Sequence, residues 1–186
     1  LDGIPLVRII NTHTHEDHIG GNIHLQSRQP GLEILAHPLA LPVLADPHGQ
    51  QPLHLYRRIF WGWPGPCQAR EVADGDRIEI EHYCFEILYT PGHTPDHLCL
   101  YEPQQGWLFT GDLYVGGQDR AIRAGSQVWD IIRSLKRLSL LPAERLFPGC
   151  ARVRDEPAEV LAAKAAYLEE LGARILDLEN KGWDVN

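Results

Sequence analysis

An apolar segment, Leu6-Val7-Arg8-Ile9-Ile10, runs almost directly into Asn11-Thr12-His13-Thr14-His15-Glu16-Asp17-His18. A run of that length and apolarity reads as a buried strand. The loop after it packs three histidines and an aspartate into six residues, His13 to His18. His13 and His15 alternate, so they can point the same way, while Asp17 and His18 turn onto a second position as a helix begins. Imidazole nitrogens and a carboxylate suit borderline ions such as zinc. A solvated polar loop would explain one such histidine but not this cluster.

Further segments repeat the design of an apolar strand feeding a loop. Thr90-Pro91-Gly92-His93-Thr94-Pro95 follows Phe85–Tyr89 and presents His93. Thr110-Gly111-Asp112 follows Trp107–Phe109 and presents Asp112, and Phe147-Pro148-Gly149-Cys150 presents Cys150. A glycine before each presented residue permits the sharp turn that brings backbone close to an ion.

Between these segments the chain reads as alternating strands and helices. Strands are expected at Val7–Ile10, Ile34–Ala36, Arg77–Ile80, Tyr83–Tyr89, Leu98–Tyr101, Trp107–Thr110 and Arg145–Phe147. Helices are expected over His18–Gln29, Pro38–Ala45, Leu53–Phe60 and from a Ser126 N-cap to Leu141. Asp46 to Pro52 reads as a turn-rich loop, and Trp61 to Pro66 as irregular. Pro157 opens a long helix with Leu161, Leu168, Leu171, Ile175 and Leu178 on one face. Strands joined both by hairpins and by crossovers imply an α/β layered domain, here one domain over residues 1–186.

The order H-x-H-x-D-H, T-P-G-H-T, G-D and P-G-x resembles the metallo-β-lactamase superfamily over nearly the whole chain. The resemblance implies a four-layer αββα sandwich with metals held by loops at the sheet edge. It places His13, His15 and His93 as ligands of a first metal, Asp17 and His18 as ligands of a second, and Asp112 as the bridging carboxylate. Two departures stand out. Cys150 occupies the place where the family usually has its last histidine; it either binds as a thiolate or stays a buried thiol that leaves the second site weak. The family also has several strands before H-x-H-x-D-H and this sequence shows one, so the N-terminal strands are read as missing. Upstream residues or a second copy of the chain are expected to cover the Val7–Ile10 edge.

What the resemblance implies is a hydrolase of the glyoxalase II-like or an uncharacterised branch. It would use hydroxide bound to one or two zinc ions (iron or manganese being alternatives) on an ester, thioester, lactone, amide or phosphoester. Asp17 could carry the proton to the leaving group, and Tyr114 could donate to a substrate oxygen. One alternative is a mononuclear iron oxygenase resembling the family's persulfide dioxygenases, with His13, His93 and Asp112 as the facial triad. Another is a non-catalytic metal-binding module. Arg120, Arg123, Arg152 and Arg154 either meet an anionic small-molecule substrate or are ordinary surface arginines. Trp61, Trp63 and Pro64 are read as a hydrophobic wall beside the site. His97 reads slightly better as a plain loop residue than as support for the ligands, and His24, His37, His48, His54 and His82 as structural or solvated. Cys84 and Cys99 read as core.

The formal net charge of −8 argues against broad binding to nucleic acid or anionic membranes, and no apolar run approaches the ~20 residues of a membrane helix. Four cysteines without a C-x-x-C pair give no disulfide framework, so a reducing, cytoplasmic setting is expected.

Overall fold

In the computed structural model, which describes residues 5–51, 55–116 and 125–183, the strands assemble into two sheets. The first is parallel, in the order β1 (Arg8–Ile10), β2 (Glu33–Ala36), β3 (Arg70–Glu71). The second runs in sequence order through β4 (Arg77–Ile80), β5 (Tyr83–Tyr89), β6 (Leu98–Glu102), β7 (Trp107–Gly111), β8 (Arg145–Pro148) and β9 (Arg154–Asp155). Its neighbours are antiparallel except for β7 and β8, which are parallel.

Parallel neighbours need crossovers, and the helices supply them. Between β1 and β2 lie α1 (Glu16–Ile19) and α2 (Asn22–Arg28); between β2 and β3 lie a 3₁₀ turn (Pro38–Ala40), α3 (Leu41–Ala45), α4 (Pro47–Gln50) and α5 (Leu55–Trp61). The helix α6 (Val128–Ser139) links β7 to β8, and α7 (Pro157–Asn180) follows β9. None of the described helices is long and apolar enough to cross a membrane.

Two-residue periodicity sorts the strand side chains into three apolar clusters, and these define the layers. Leu35 of β2 meets Ile78, Ile87 and Leu98 between the two sheets. Its neighbours Ile34 and Ala36 point the other way, onto Ile19, Ala40 and Leu44 of the helical segments. On the second sheet, Leu88, Cys99, Tyr101, Leu108 and Leu146 face Ile132, Leu135 and Leu138 of α6 and Leu161, Ala165 and Leu168 of α7. Helices, sheet, sheet and helices thus form the expected αββα sandwich. β1 is an edge strand among the described residues.

Several local expectations need correction. The single helix expected over His18–Gln29 is two helices, broken at Gly20 and Gly21. Asp46 to Pro52 contains the short helix α4, because the Asp46 carboxylate accepts from the Gly49 amide at 3.1 Å. Ser126 does not cap α6; Gln127 holds the cap position without a side-chain bond, and the Ser126 hydroxyl donates to the His93 carbonyl at 3.1 Å. The strands β3 and β9, two residues each, add to those expected. In α7, Leu161 and Leu168 are core, but Ile175 and Leu178 are exposed because no element packs over its last turns among the described residues.

Candidate metal centre

The candidate ligands other than Asp17 and His18, which lie in α1, sit just past the C-terminal ends of strands. His13 and His15 leave β1, His93 leaves β5, Asp112 leaves β7 and Cys150 leaves β8. The loops are tied in place by backbone. The Thr12 carbonyl accepts from the Leu98 amide at 2.7 Å, joining the first sheet's loop to the second sheet. The Pro91 carbonyl accepts from the Ser134 hydroxyl at 2.8 Å and the Gly92 carbonyl from the Gln127 amide at 2.8 Å, so α6 grips the His93 loop.

Glycines let the strands end so close together. Gly111 has φ +47, and an added Cβ would lie 3.0 Å from Thr12 and 2.9 Å from His97 Nε2. At Gly149 an added Cβ would lie 2.4 Å from Asp112 Oδ1. A larger residue there would push the carboxylate aside.

These loops bring ligand atoms of His13, His15, His93 and Asp112 within 4.8 Å of one another. His13 Nε2 lies 2.9 Å and His93 Nε2 3.1 Å from His15 Nδ1. His93 Nε2 is 3.7 Å from Asp112 Oδ2, and His18 Nε2 approaches the same oxygen at 3.5 Å. Asp17, exposed at the rim, reaches His18 with Oδ2 3.8 Å from Nε2.

The electrostatics fit a cation. Burial, followed by repulsion from neighbouring histidines, drives the His13 imidazole far below its ordinary range. Burial, the adjacent His93 and the Arg57 guanidinium take His15 down to about 3, and burial likewise lowers His93. Three neutral imidazoles therefore turn ring nitrogens towards one point, where hydrogen bonds among themselves cannot satisfy all the lone pairs. Asp112 Oδ1 is buried without a hydrogen-bond partner. His18 behaves in the opposite way to these three: burial works against its proton, but the hydrogen bond and charge of Asp112 overcome it and raise its pKa. Burial raises Asp112 in turn, and His18 more than reverses that. A lone-pair cluster beside an ionised carboxylate fits a divalent ion. The Thr12 hydroxyl, 3.0 Å from His13 Nδ1, is placed to fix the tautomer that leaves Nε2 free to bind.

Not every expected residue joins this constellation. Cys150 is exposed, and burial together with the charges of Asp112 and Asp17 raises its thiol pKa. Its acidic surroundings place it near the carboxylates, yet it is outside the compact four-residue cluster. Tyr114 is only 5% exposed and packs in the core cluster beside Leu113. The reading of His97 is corrected. It is fully buried, its ring centroid is 5.3 Å from that of His13, and its Nδ1 pairs with Thr90 Oγ1 at 3.0 Å. The T-P-G-H segment carries no periodicity that could have shown it facing inwards. Arg120, Arg123 and His54 lie outside the described residues, while Arg152 and Arg154 are exposed. His24, His48 and His82 are exposed, and His37 is structural, stacked on Tyr89 at 4.3 Å with Nδ1 accepting from the Leu39 amide. Cys99 is core, and Cys84 is partly buried.

Sequence reasoning also missed Glu16 and Arg57. Glu16, 1% exposed and next to His15, forms an ion pair with Arg57 of α5.

An αββα sandwich with histidines and a carboxylate gathered at its strand ends defines a metal protein of the metallo-β-lactamase type. The chain belongs to the metallo-β-lactamase superfamily, whose family profile matches residues 1–150. Among curated proteins it resembles hydroxyacylglutathione hydrolase of Thermosynechococcus vestitus, 32% identical over 76% of this chain and 48% of the relative. The Rhodospirillum rubrum protein of the same name is 32% identical over 95% of this chain and 60% of its own length. The chain thus spans about half the length of the curated relatives it matches. Among solved structures, TTHA1623 in a di-iron-bound form is 31% identical, with a TM-score of 0.67, 85% of this chain and 76% of that chain aligned. The metallo-β-lactamase family protein TTHA1429 from Thermus thermophilus shares the fold, with a TM-score of 0.77 at 20% identity over 92% of this chain and 63% of that one.

Proposed function

We propose that this chain carries the metal site of a hydrolase that cleaves an acyl thioester or a related ester. The observation that carries the reading is the convergence of His13, His15, His93 and Asp112 within 4.8 Å. The activity for which the relatives are named, hydrolysis of hydroxyacylglutathione, concerns a thioester and supports that substrate class.

His13, His15 and His93 would hold a first divalent ion. Asp112 would be shared with a second held by Asp17 and His18, with Cys150 or solvent completing it. When bound, the ion supplies Lewis acidity, lowering the pKa of water towards ~7 and offsetting negative charge on an acyl oxygen. The protein's part is to orient and to move protons. Thr12 keeps His13 Nε2 directed inwards, and burial keeps the three imidazoles neutral and able to bind. Asp17, exposed beside His18, accepts a proton at its carboxylate as water adds to the acyl carbon and returns it to the departing sulfur or oxygen.

Zinc and iron both suit the donor set, and the di-iron form of TTHA1623 keeps iron in view. His15 sits in the same cluster as His13, His93 and Asp112, so the ligand set is larger than a facial triad and favours hydrolysis over oxygenation. The test is metal analysis of purified protein, then assays on a thioester, ester, lactone and phosphodiester panel, with oxygen uptake measured on a persulfide. Thioester cleavage that depends on metal is expected. Oxygen uptake without hydrolysis would replace this reading with the oxygenase.

A further inference from the structure

His97 follows the candidate ligand His93 in the same loop and is completely buried, which leaves its ring uncharged. The hydrogen bonds beyond its Nδ1 run in a fixed direction. The Thr110 carbonyl of β7 can only accept, and the Cys99 thiol of β6 donates to it with Sγ 3.6 Å away. The Cys99 sulfur in turn accepts from the Thr90 hydroxyl at 3.2 Å. That uses the one proton on Thr90 Oγ1, so Oγ1 accepts from His97 Nδ1, 3.0 Å away. His97 Nδ1 therefore carries the ring proton and Nε2 is a bare lone pair. This nitrogen is buried without a hydrogen-bond partner among the described residues.

The ligand His13 faces a choice of direction too. Its Nδ1 lies 3.0 Å from Thr12 Oγ1, and a hydroxyl donates as readily as it accepts. If Thr12 donated, the His13 proton would sit on Nε2, the nitrogen that has to bind the ion. For Thr12 to accept instead, its own proton needs another acceptor. His97 Nε2 stands nearby. A Cβ on Gly111 would meet Nε2 at 2.9 Å and Thr12 Oγ1 at 3.0 Å, so the two atoms flank one point. Residue 111 is a glycine with φ +47, which leaves that point open.

We propose that His97 is the positioning residue for His13: its Nε2 lone pair takes the Thr12 hydroxyl proton across the space over Gly111, directly or by one bridging water, and so holds His13 with its proton on Nδ1 and Nε2 turned to the ion. The relay then runs one way, from His13 through Thr12, His97, Thr90 and Cys99 to the Thr110 carbonyl. It joins the loop that presents His13 to the strand end that presents Asp112. Each bond polarises the next, which makes the metal-facing nitrogen more basic. This deepens the metal-centre reading and rests on it for the ion.

The experiment uses the full chain with isotopically labelled histidine, whose long-range proton–nitrogen spectra report which ring nitrogen is protonated. In the zinc-loaded protein, His97 and His13 should both carry the proton on Nδ1; His97→Gln and His13→Ala assign the signals. Zinc affinity, measured by competition with a chromogenic chelator, should fall about 10–100-fold in Thr12→Val and in His97→Phe. The double variant should lose little more than either alone, because both remove one link. His97→Gln, whose side-chain carbonyl can accept, should recover part of the loss. Losses that add would overturn the proposal, since a purely structural His97 would act independently of the Thr12 hydroxyl. Thr110→Val removes another buried unpartnered hydroxyl and should leave zinc affinity near wild type. A loss there, with none in Thr12→Val, would make Thr110 the donor and overturn the link to His13. A proton on His97 Nε2 would overturn it as well. If His97→Phe fails to fold, the wild-type spectrum and Thr12→Val still decide the matter. Zinc binding with the expected coupling but no thioester cleavage would refute the hydrolase and leave the relay standing.

Discussion

His93 Nε2 stands 3.1 Å from His15 Nδ1, although 78 residues separate them in the chain. Two different loops, one from each sheet, therefore supply a single binding point. Removing His93 takes away one lone pair and also the side chain beside Asp112 Oδ2. His93→Ala should lower both metal content and hydrolytic rate, by more than the roughly 10–100-fold typical of residues that only support ligands. Metal analysis after dialysis, with circular dichroism to show that the fold persists, checks this. Full retention of metal would remove His93 from the ligand set.

Gly149 provides a subtler probe of the same geometry. An alanine Cβ at that position would lie 2.4 Å from Asp112 Oδ1, a side-chain end that must give way, and 3.0 Å from the Gly111 backbone, which has less freedom to move. Gly149→Ala should cost about 1–3 kcal/mol of stability, the usual penalty for overpacking. It should also weaken metal binding by displacing the carboxylate. Denaturant unfolding and zinc titration measure the two effects separately. A variant with wild-type zinc affinity would show that Asp112 is not held by this contact.

Acid sensitivity follows from the buried imidazoles. His15 and His97 are lowered to about 3 and His13 lies lower still, against ~6.5 in an unfolded chain. Below pH ~6.5 the unfolded chain therefore binds more protons than the folded one, and stability rises with pH in that window. Chelator-treated protein should lose stability as the pH falls from about 6.5 towards 3, by up to ~1.4 kcal/mol per pH unit for each group that stays neutral. His18 acts in the opposite sense, since its raised pKa contributes stability at low pH that is lost as the pH rises through its folded value. The lowered groups, which also include His93, outnumber it. Thermal melts across that range test the sign, and a midpoint independent of pH between about 4 and 6.5 would contradict it.

Much of this site is legible in the sequence because ligand chemistry is local. His13-Thr14-His15-Glu16-Asp17-His18 places its donors within one loop, and the strand–glycine–ligand repeats point to His93 and Asp112. The layers are legible through the family resemblance, and the near-continuous apolar runs of β5 and β6 agree with strands covered on both faces. What escapes is non-local. The Glu16–Arg57 pair spans 41 residues, with no pattern joining the two positions. His97 lies in a loop, where burial has no period. β3 and β9 are each two residues long, too short for alternation to register. In α7 periodicity identifies the apolar face, but only the tertiary structure shows that its first half is covered and its second half is not.

Cys150 provides the last prediction. The ligand atoms that converge come from His13, His15, His93 and Asp112, and the exposed Cys150 thiol stands outside them. Burial and the charges of Asp112 and Asp17 favour its protonated form, which is not the form that binds zinc. A cation held by Asp17, His18 and Asp112 would have to displace that proton to recruit the sulfur, so any ion using Cys150 binds more weakly at low pH. Cys150→Ser should therefore keep one tight equivalent of zinc and lose at most a weaker second one. Alkylation offers an independent check. Cys150 should label in the native protein, faster as the pH rises, whereas Cys99, fully buried and pushed up to about 12, should label only on unfolding. Zinc titration of both proteins, followed by labelling with and without the metal, decides the point. Loss of the tight equivalent in Cys150→Ser would make the cysteine a ligand of the first ion and overturn the four-residue assignment.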